Sequence, residues 1–498
     1  MASSLFHRKS LDRIISDAEK PEHQLKRVLG PVSLTALGIG AIIGAGIFAT
    51  TGTAAAGDSI RVGAGPGLIL SYFLTAIACG FCALCYAELA SMIPISGSAY
   101  TYAYATLGEF VAWVIGWDLI LEYAVGNVAV AVSWSGYFQD LLRGLGIEFP
   151  HWLSTNYNHA IHSPELLASA PHVFGVPLFI NLPAVLIVAG ITTLLVVGIR
   201  ESSNFNSIIV GIKLLVVIGF IVVGVKYVKP GLWQPFMPNG WTGVLTGASL
   251  VFFAYIGFDA ISTTAEECRN PQRDLPVGMI ASLVICTILY VAVTAVLTGI
   301  VPYQQLGTAE PLSTALRLIH LNWASGVVAF GAVIAMTAVL LVFQMGQPRI
   351  FFSMSRDGLL PKKFASVHPR FRTPHVTTIL TGVGVAAFAA FVDISSAVEF
   401  TNIGTLFAFI LVATGVIVLR RTDPHRPRPF RCPGVPVVPL LSIVSCITLM
   451  GYLPWITWLR FVGWFLLGVA IYFLYSRKNS KLREQAQAAA GVNQEKGL

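Results

Sequence analysis

Residues Gly38–Phe48 read GIGAIIGAGIF, four glycines within nine residues of an apolar run. A helix that crosses a membrane must satisfy its own backbone hydrogen bonds, and glycine is a poor residue for keeping a helix wound. Three readings compete. A nucleotide-binding turn needs GxGxxG between a strand and a helix; the spacing here is GxGxxxG inside an apolar run, which excludes it. Gly40 and Gly44 form a GxxxG step of the kind that lets two helices approach closely. The third reading is a discontinuous span, unwound near the bilayer midplane so that its N–H and C=O groups face a ligand. That reading predicts a second interruption in the matching span of a second half. The sixth apolar run supplies it: GASLVFFAYIGFDAISTTAEE, Gly247–Glu267, has Gly257 and Asp259 near its middle. The pair favours broken helices over a packing motif alone.

The rest of the chain agrees with a membrane setting. Of its 498 residues 55% are hydrophobic and only 11% charged, with a mean hydropathy of +0.73. Soluble domains carry about a quarter charged residues. The formal net charge of +8 is carried in short segments between apolar runs, which argues for a charged membrane face rather than for nucleic acid. The first thirty residues are polar, without the early apolar core of a signal peptide. Seven cysteines lie in or beside apolar segments, unlike a secreted disulfide framework.

Apolar runs of about twenty residues predict twelve spans: 33–56, 66–90, 110–136, 179–199, 205–227, 243–265, 277–301, 324–348, 376–393, 400–420, 436–453 and 459–476. The longest connection, 137–178, contains His151, His159, His162 and His172, whose spacing matches no common ligand set. It reads as a solvated loop. With the N-terminus inside, about 25 of the lysines and arginines fall in the tails and inward loops and about 6 in the outward loops, an asymmetry of roughly four to one. The expected topology has both termini cytoplasmic and the heaviest basic clusters, around Arg356 and Arg426, inside.

Several stretches together resemble one family. GIGAIIGAGIF, CYAELASMIPISGSAYTYAYATLGE, FFAYIGFDAISTTAEECRNPQRDLPVG, MSRDGLLP and RPFRCPGVPVVP are similar to motifs of the amino acid–polyamine–organocation superfamily, in the expected order from about residue 25 to 475. Within it they most resemble the cationic amino acid transporter branch and its bacterial homologues. The resemblance implies an all-α polytopic membrane fold of about twelve helices: a five-plus-five inverted repeat with broken helices 1 and 6, and two further C-terminal helices. The divisions expected are tails at 1–32 and 477–498, repeats at 33–227 and 228–420, and added helices at 421–476.

A free amino acid brings a carboxylate and an ammonium group. Unwound N–H groups around Ile42, Ile43, Gly44, Ala45 and Gly46 suit the carboxylate; carbonyls of Phe253, Ala254 and Ile256 suit the ammonium. The resemblance assigns the same positions to substrate, although Ala45 stands where relatives often carry threonine. Ionisable residues inside spans are costly and usually functional. Glu122 and Asp259 are expected in or beside the pocket. Asp118, one turn before Glu122, reads as a helix–helix polar contact, and Glu88 as a structural or gating residue near a cytoplasmic end. Lys213 is the only basic residue inside a span, about 12 Å from the helix end, too deep for snorkelling alone. The resemblance implies that such a lysine stands in place of a sodium ion and couples transport to protons. Cys79, Cys82 and Cys85 form CxxCxxC on one helix face without a fourth ligand, and read as packing residues.

The expectation is a secondary active amino acid permease working by alternating access, proton-coupled and sodium-independent, with cationic substrates in view. A neutral amino acid or polyamine carrier is the alternative. No cofactor, metal or nucleic acid is expected; the partners are the amino acid, the proton and membrane lipid, with a small single-span membrane partner left open. A membrane enzyme would need an activated nucleophile or a metal constellation, and the sequence offers neither.

Overall fold

The computed structural model describes residues 8–9, 28–93, 98–155, 167, 170–173, 176–198, 203–371 and 373–483. These form an all-α polytopic bundle. Eight helices are long and apolar enough to cross a membrane, a ninth position is a bent pair, and three shorter apolar helices complete the order. The twelve positions match the twelve apolar runs. Span 1 is Pro31–Ile42 plus Gly46–Ala56, bent by 41°. Spans 2, 3 and 4 are Leu68–Met92, Glu109–Gly144 and Leu182–Val197. Span 5 is Ser203–Gly224 and span 6 Gly240–Ala265. Spans 7, 8 and 9 are Pro271–Ile300, Asn322–Arg356 and His375–Phe391. Spans 10, 11 and 12 are Ile394–Thr422, Val437–Gly451 and Trp455–Asn479.

Local chemistry sets many of the ends. Prolines at the first turn, where a missing N–H does no harm, open spans 1, 4 and 7. Asn181 and Asp393 cap spans 4 and 10 by accepting from Ala184 N–H (3.3 Å) and Ser396 N–H (2.9 Å). Spans 3, 8 and 10 are longer than their apolar runs, because their ends carry polar turns that a hydropathy count discards. Two short helices, Ser98–Thr106 and Pro311–Leu318, lie in connections that read as loops. Part of 137–178 is also helical: span 3 runs to Gly144, and His151 starts a single 3₁₀ turn. His172 lies in the two-residue antiparallel ribbon His172–Val173 with Val176–Pro177, the only strands among the described residues. His159 and His162 lie outside the described residues.

Span 3 is the central post, with its largest interfaces against spans 8 and 10, while span 7 lies against span 2 and the first half of span 1. The first half of span 1 sits tight on its neighbours: a Cβ on Gly38 would fall 2.6 Å from Ile261 and Ser282, and one on Gly278 2.8 Å from Leu34. The exposed apolar side chains of spans 5, 7, 9, 11 and 12, such as Leu215, Ile288, Val383, Val444 and Leu466, face outward from the bundle, as lipid-facing surfaces do.

Candidate functional site: two crossed helix breaks

Both predicted interruptions are present. In span 1 the helix stops at Ile42, Ile43 adopts an extended conformation (φ −75°, ψ 102°), and winding resumes at Gly46 as a π-helical turn. In span 6 the helix tightens into a 3₁₀ turn over Phe252–Tyr255, Ile256 is extended (φ −59°, ψ 132°), Gly257 has φ +120°, and a 3₁₀ stretch continues over Asp259–Glu267. That φ belongs to glycine.

The two breaks cross in contact. A Cβ on Gly46 would fall 2.2 Å from Ala254 Cα, and one on Gly257 would fall 3.0 Å from the carbonyl of Ala41. Only glycine allows backbone to meet backbone at either point. The N–H groups of Gly44 and Ala45 donate to no backbone carbonyl among the described residues, as expected at the start of a helical segment. Ile42, Ile43, Gly44, Ala45 and Gly46 are all buried, as are Phe253, Ala254 and Ile256.

The carbonyls are not equivalent. Phe253 C=O accepts from Ile256 N–H at 3.3 Å. Tyr290 OH lies 2.9 Å from Ile42 C=O and 3.0 Å from Ala254 C=O, and its single proton serves one at a time. Tyr290 belongs to a buried trio with Tyr72 and Tyr255, ring centroids 5.4 to 6.2 Å apart. The sequence reading missed this trio. Its signal was a set of phenols inside apolar runs, each requiring a buried hydrogen-bond partner.

Glu122 and Asp259 come together. They line one crevice with Tyr123, Ile256, Gly257, Ala260 and Phe343, closed to the point of having no water-sized space. Asp259 Oδ1 also accepts from Gly257 N–H at 3.2 Å, so it braces the break it lies in. No basic side chain lines this crevice among the described residues. Lys213 is 1% exposed, and its Nζ donates to Gly40 C=O at 2.6 Å, linking span 5 to the last turn before the break in span 1.

Other expectations resolve differently. Asp118 makes no helix–helix bond: both carboxylate oxygens lack a partner among the described residues. It borders a crevice of about 10 Å³ with Trp113, Trp117 and Trp464. Gly404, opposite it on span 10, offers no side chain to bond. Glu88 is structural: Arg420 forks onto both its oxygens at 2.8 Å, Arg428 Nε donates at 3.2 Å and Cys432 N–H at 2.8 Å. All of the CxxCxxC thiols are buried, Cys82 Sγ lying 3.1 Å from Ser442 Oγ and 3.6 Å from Cys446 Sγ. Cys82 thus packs span 2 against span 11.

Ion pairs tie helices together at both ends of the bundle. At one, Glu109 accepts from Arg483 Nε and Tyr472 OH at 2.9 Å, and Asp357 from Tyr100 OH at 2.7 Å and Lys9 Nζ at 3.4 Å. At the other, Arg61 pairs with Glu399 at 2.5 Å, and Asp140 with Arg317 and Ser313. Between these two ends the crevice lined by Glu122 and Asp259 holds no water-sized space. These pairs join residues far apart in the chain, so no local motif announced them.

A family model described as amino acid permease matches residues 29–480. The chain belongs to the amino acid permease family. Its relatives include the branched-chain amino acid permease of Bacillus subtilis (strain 168), 51% identical over 97% of this chain and all of that protein. The methylthioribose transporter of the same strain is 46% identical with equal coverage. The vacuolar cationic amino acid transporter 4 of Arabidopsis thaliana is 39% identical over 85% of this chain and 68% of that protein. Resemblance to the amino acid–polyamine–organocation superfamily is thereby borne out, and this permease is a multi-pass membrane protein and not an enzyme.

Proposed function

We propose that this permease carries L-amino acids across the plasma membrane by alternating access, with both termini and the loops around Arg356 and Arg426 in the cytoplasm. Residues 33–227 and 228–420 act as two inverted repeats, joined by two added spans within 421–476 and flanked by tails at 1–32 and 477–498. The observation that carries the reading is the crossing of the two breaks at Gly46 and Ala254. The free N–H groups of Gly44 and Ala45 in one break would take the carboxylate of a zwitterion, and carbonyls of the other break, such as that of Ile256, its ammonium. Broken spans that meet at mid-bundle are the architecture of carriers.

Lys213 is the coupling group. Charged, it holds Gly40 C=O and braces span 1 against span 5, the position a sodium ion would otherwise serve. Uncharged, it releases that brace. A buried ammonium with one partner is costly, so its charge state follows the contacts that the conformational cycle offers.

For the side chain, the geometry favours a cationic substrate: Glu122 faces the crevice without a described basic partner, while Asp259 is engaged with Gly257. The 51% full-length identity to a branched-chain permease favours a second reading, a neutral aliphatic substrate against Tyr123, Ile256 and Phe343. Competition against a transported, radiolabelled amino acid separates them. Arginine, lysine and ornithine should compete; if they fail while leucine, isoleucine and valine succeed, the neutral reading stands.

A further inference from the structure

Away from the crossed breaks, a cleft of about 710 Å³ runs along the outer face of span 7 near its first residue. Its apolar wall is Pro276, Val277, Ile280, Ala281 and Val284, with Val277 44% and Val284 52% exposed. The opposite wall is Pro429 and Phe430, in the connection between spans 10 and 11. At its polar end the cleft continues into a second of about 500 Å³, the two sharing Gln272 and Pro429. Asp423, His425 and Arg426 line that polar end, and Arg273 stands at the junction. Arg426 is 3.6 Å from Asp423. Gln272, Arg273 and His425 make no side-chain hydrogen bond or ion pair among the described residues.

The wall of the cleft is rigid. Glu88 holds Arg420, Arg428 and Cys432 N–H together, and Ser91 Oγ accepts from Phe430 N–H at 3.3 Å. The connection from Asp423 to Cys432 is therefore bolted to span 2 on both sides of Pro429. Among the described residues Arg273, Gln272 and His425 stand beside the Arg426–Asp423 pair at the polar end of an apolar trough. Basic pockets beside membrane helices on the cytoplasmic side take acidic lipid headgroups, and the trough takes an acyl chain.

We propose that this double cleft is a binding site for one anionic phospholipid, its phosphate held by Arg273, His425 and Gln272 and one acyl chain laid along Val277–Val284. The lipid bridges span 7, which packs on the first half of broken span 1, to the fixed connection at 423–432. On the topology proposed above it belongs to the cytoplasmic leaflet. The binding test in detergent stands independently of that topology and of the substrate.

The experiment is native mass spectrometry of the purified chain titrated with phosphatidylglycerol, phosphatidylcholine or diacylglycerol of identical acyl chains. One phosphatidylglycerol should be retained at least tenfold more strongly than one phosphatidylcholine or diacylglycerol. The double variant R273Q/H425Q should lose that preference while still binding lipid weakly. Ala281→Trp, which fills the trough and leaves the charges in place, should reduce retention of all three. Equal retention of the three lipids by the wild type overturns the proposal. So does an unchanged phosphatidylglycerol preference in R273Q/H425Q, which would place the headgroup elsewhere, or an unchanged retention in Ala281→Trp.

Discussion

Replacing Gly46 by alanine adds one methyl group at the point where the two broken spans cross. The new Cβ would lie 2.2 Å from Ala254 Cα and 2.9 Å from Ala254 N, against about 3.5–4.0 Å for a carbon–carbon contact at rest. One span must move by roughly 1.5 Å, and the obstacle is backbone rather than the free end of a side chain. Overpacking of this kind costs about 1–3 kcal/mol, and 3 kcal/mol shifts a conformational equilibrium about 150-fold. The arrangement in which the two breaks touch bears that cost most. Gly44→Ala is the matched control: its Cβ meets Val339 Cγ2 at 3.0 Å, a side chain that can give way. Counterflow of labelled amino acid in proteoliposomes should fall by about 5- to 150-fold in Gly46→Ala and by less in Gly44→Ala, with the melting temperature lower for Gly46→Ala. Equal transport by Gly46→Ala and wild type would refute the crossed-break site.

Other outcomes follow from the ion pairs. Glu88→Ala leaves Arg428, whose side chain is 2% exposed, with its charge uncompensated. Stability should drop by about 3–5 kcal/mol, read as thermal unfolding in detergent, whereas a loss below about 1 kcal/mol would mean that the Arg420–Glu88–Arg428 clamp is dispensable. Glu310, in the connection before Pro311–Leu318, is pushed up to about 7 from its ordinary 4.5 by burial and then by the Asp140 charge. A carboxyl raised on folding stabilises fully below its unfolded value and loses that contribution as pH rises through 4.5 to about 7. The melting temperature of E310Q should therefore decline less than that of the wild type between pH 5 and pH 7.5, and parallel curves would contradict this. Lys213→Ala should keep counterflow but lose accumulation driven by a pH difference alone, and accumulation unchanged from wild type would make Lys213 merely structural. A cysteine placed at Arg426 should resist impermeant labels on intact cells while one at His162 reacts; the reverse would invert the topology.

The membrane class and the twelve spans were legible because hydropathy is a local signal, readable twenty residues at a time. The breaks were legible too, since Gly46 and Gly257 mark backbone that must be bare. Why they are bare was not: that Gly46 lies on Ala254 and Gly257 on Ala41 is a contact across two hundred residues. Separations as large or larger hid Tyr290 beneath Ile42, the Arg61–Glu399 pair and the Glu109–Arg483 pair. Asp118 misled for a related reason. A buried carboxylate invites a partner, but Gly404 faces it. The helical ends of spans 3 and 8 were missed because polar residues at a membrane surface lower the hydropathy of helix and loop alike.

The central claim is that this chain alone moves an amino acid through the crossed breaks. Its most direct test is counterflow with purified protein in liposomes, loaded inside with each unlabelled amino acid in turn and supplied outside with the same amino acid carrying a radiolabel. The account predicts a transient internal excess of label for at least one amino acid, strongly reduced in Gly46→Ala and unaffected by replacing sodium with potassium. Absence of any such excess for every amino acid, from a protein that remains folded, would contradict it.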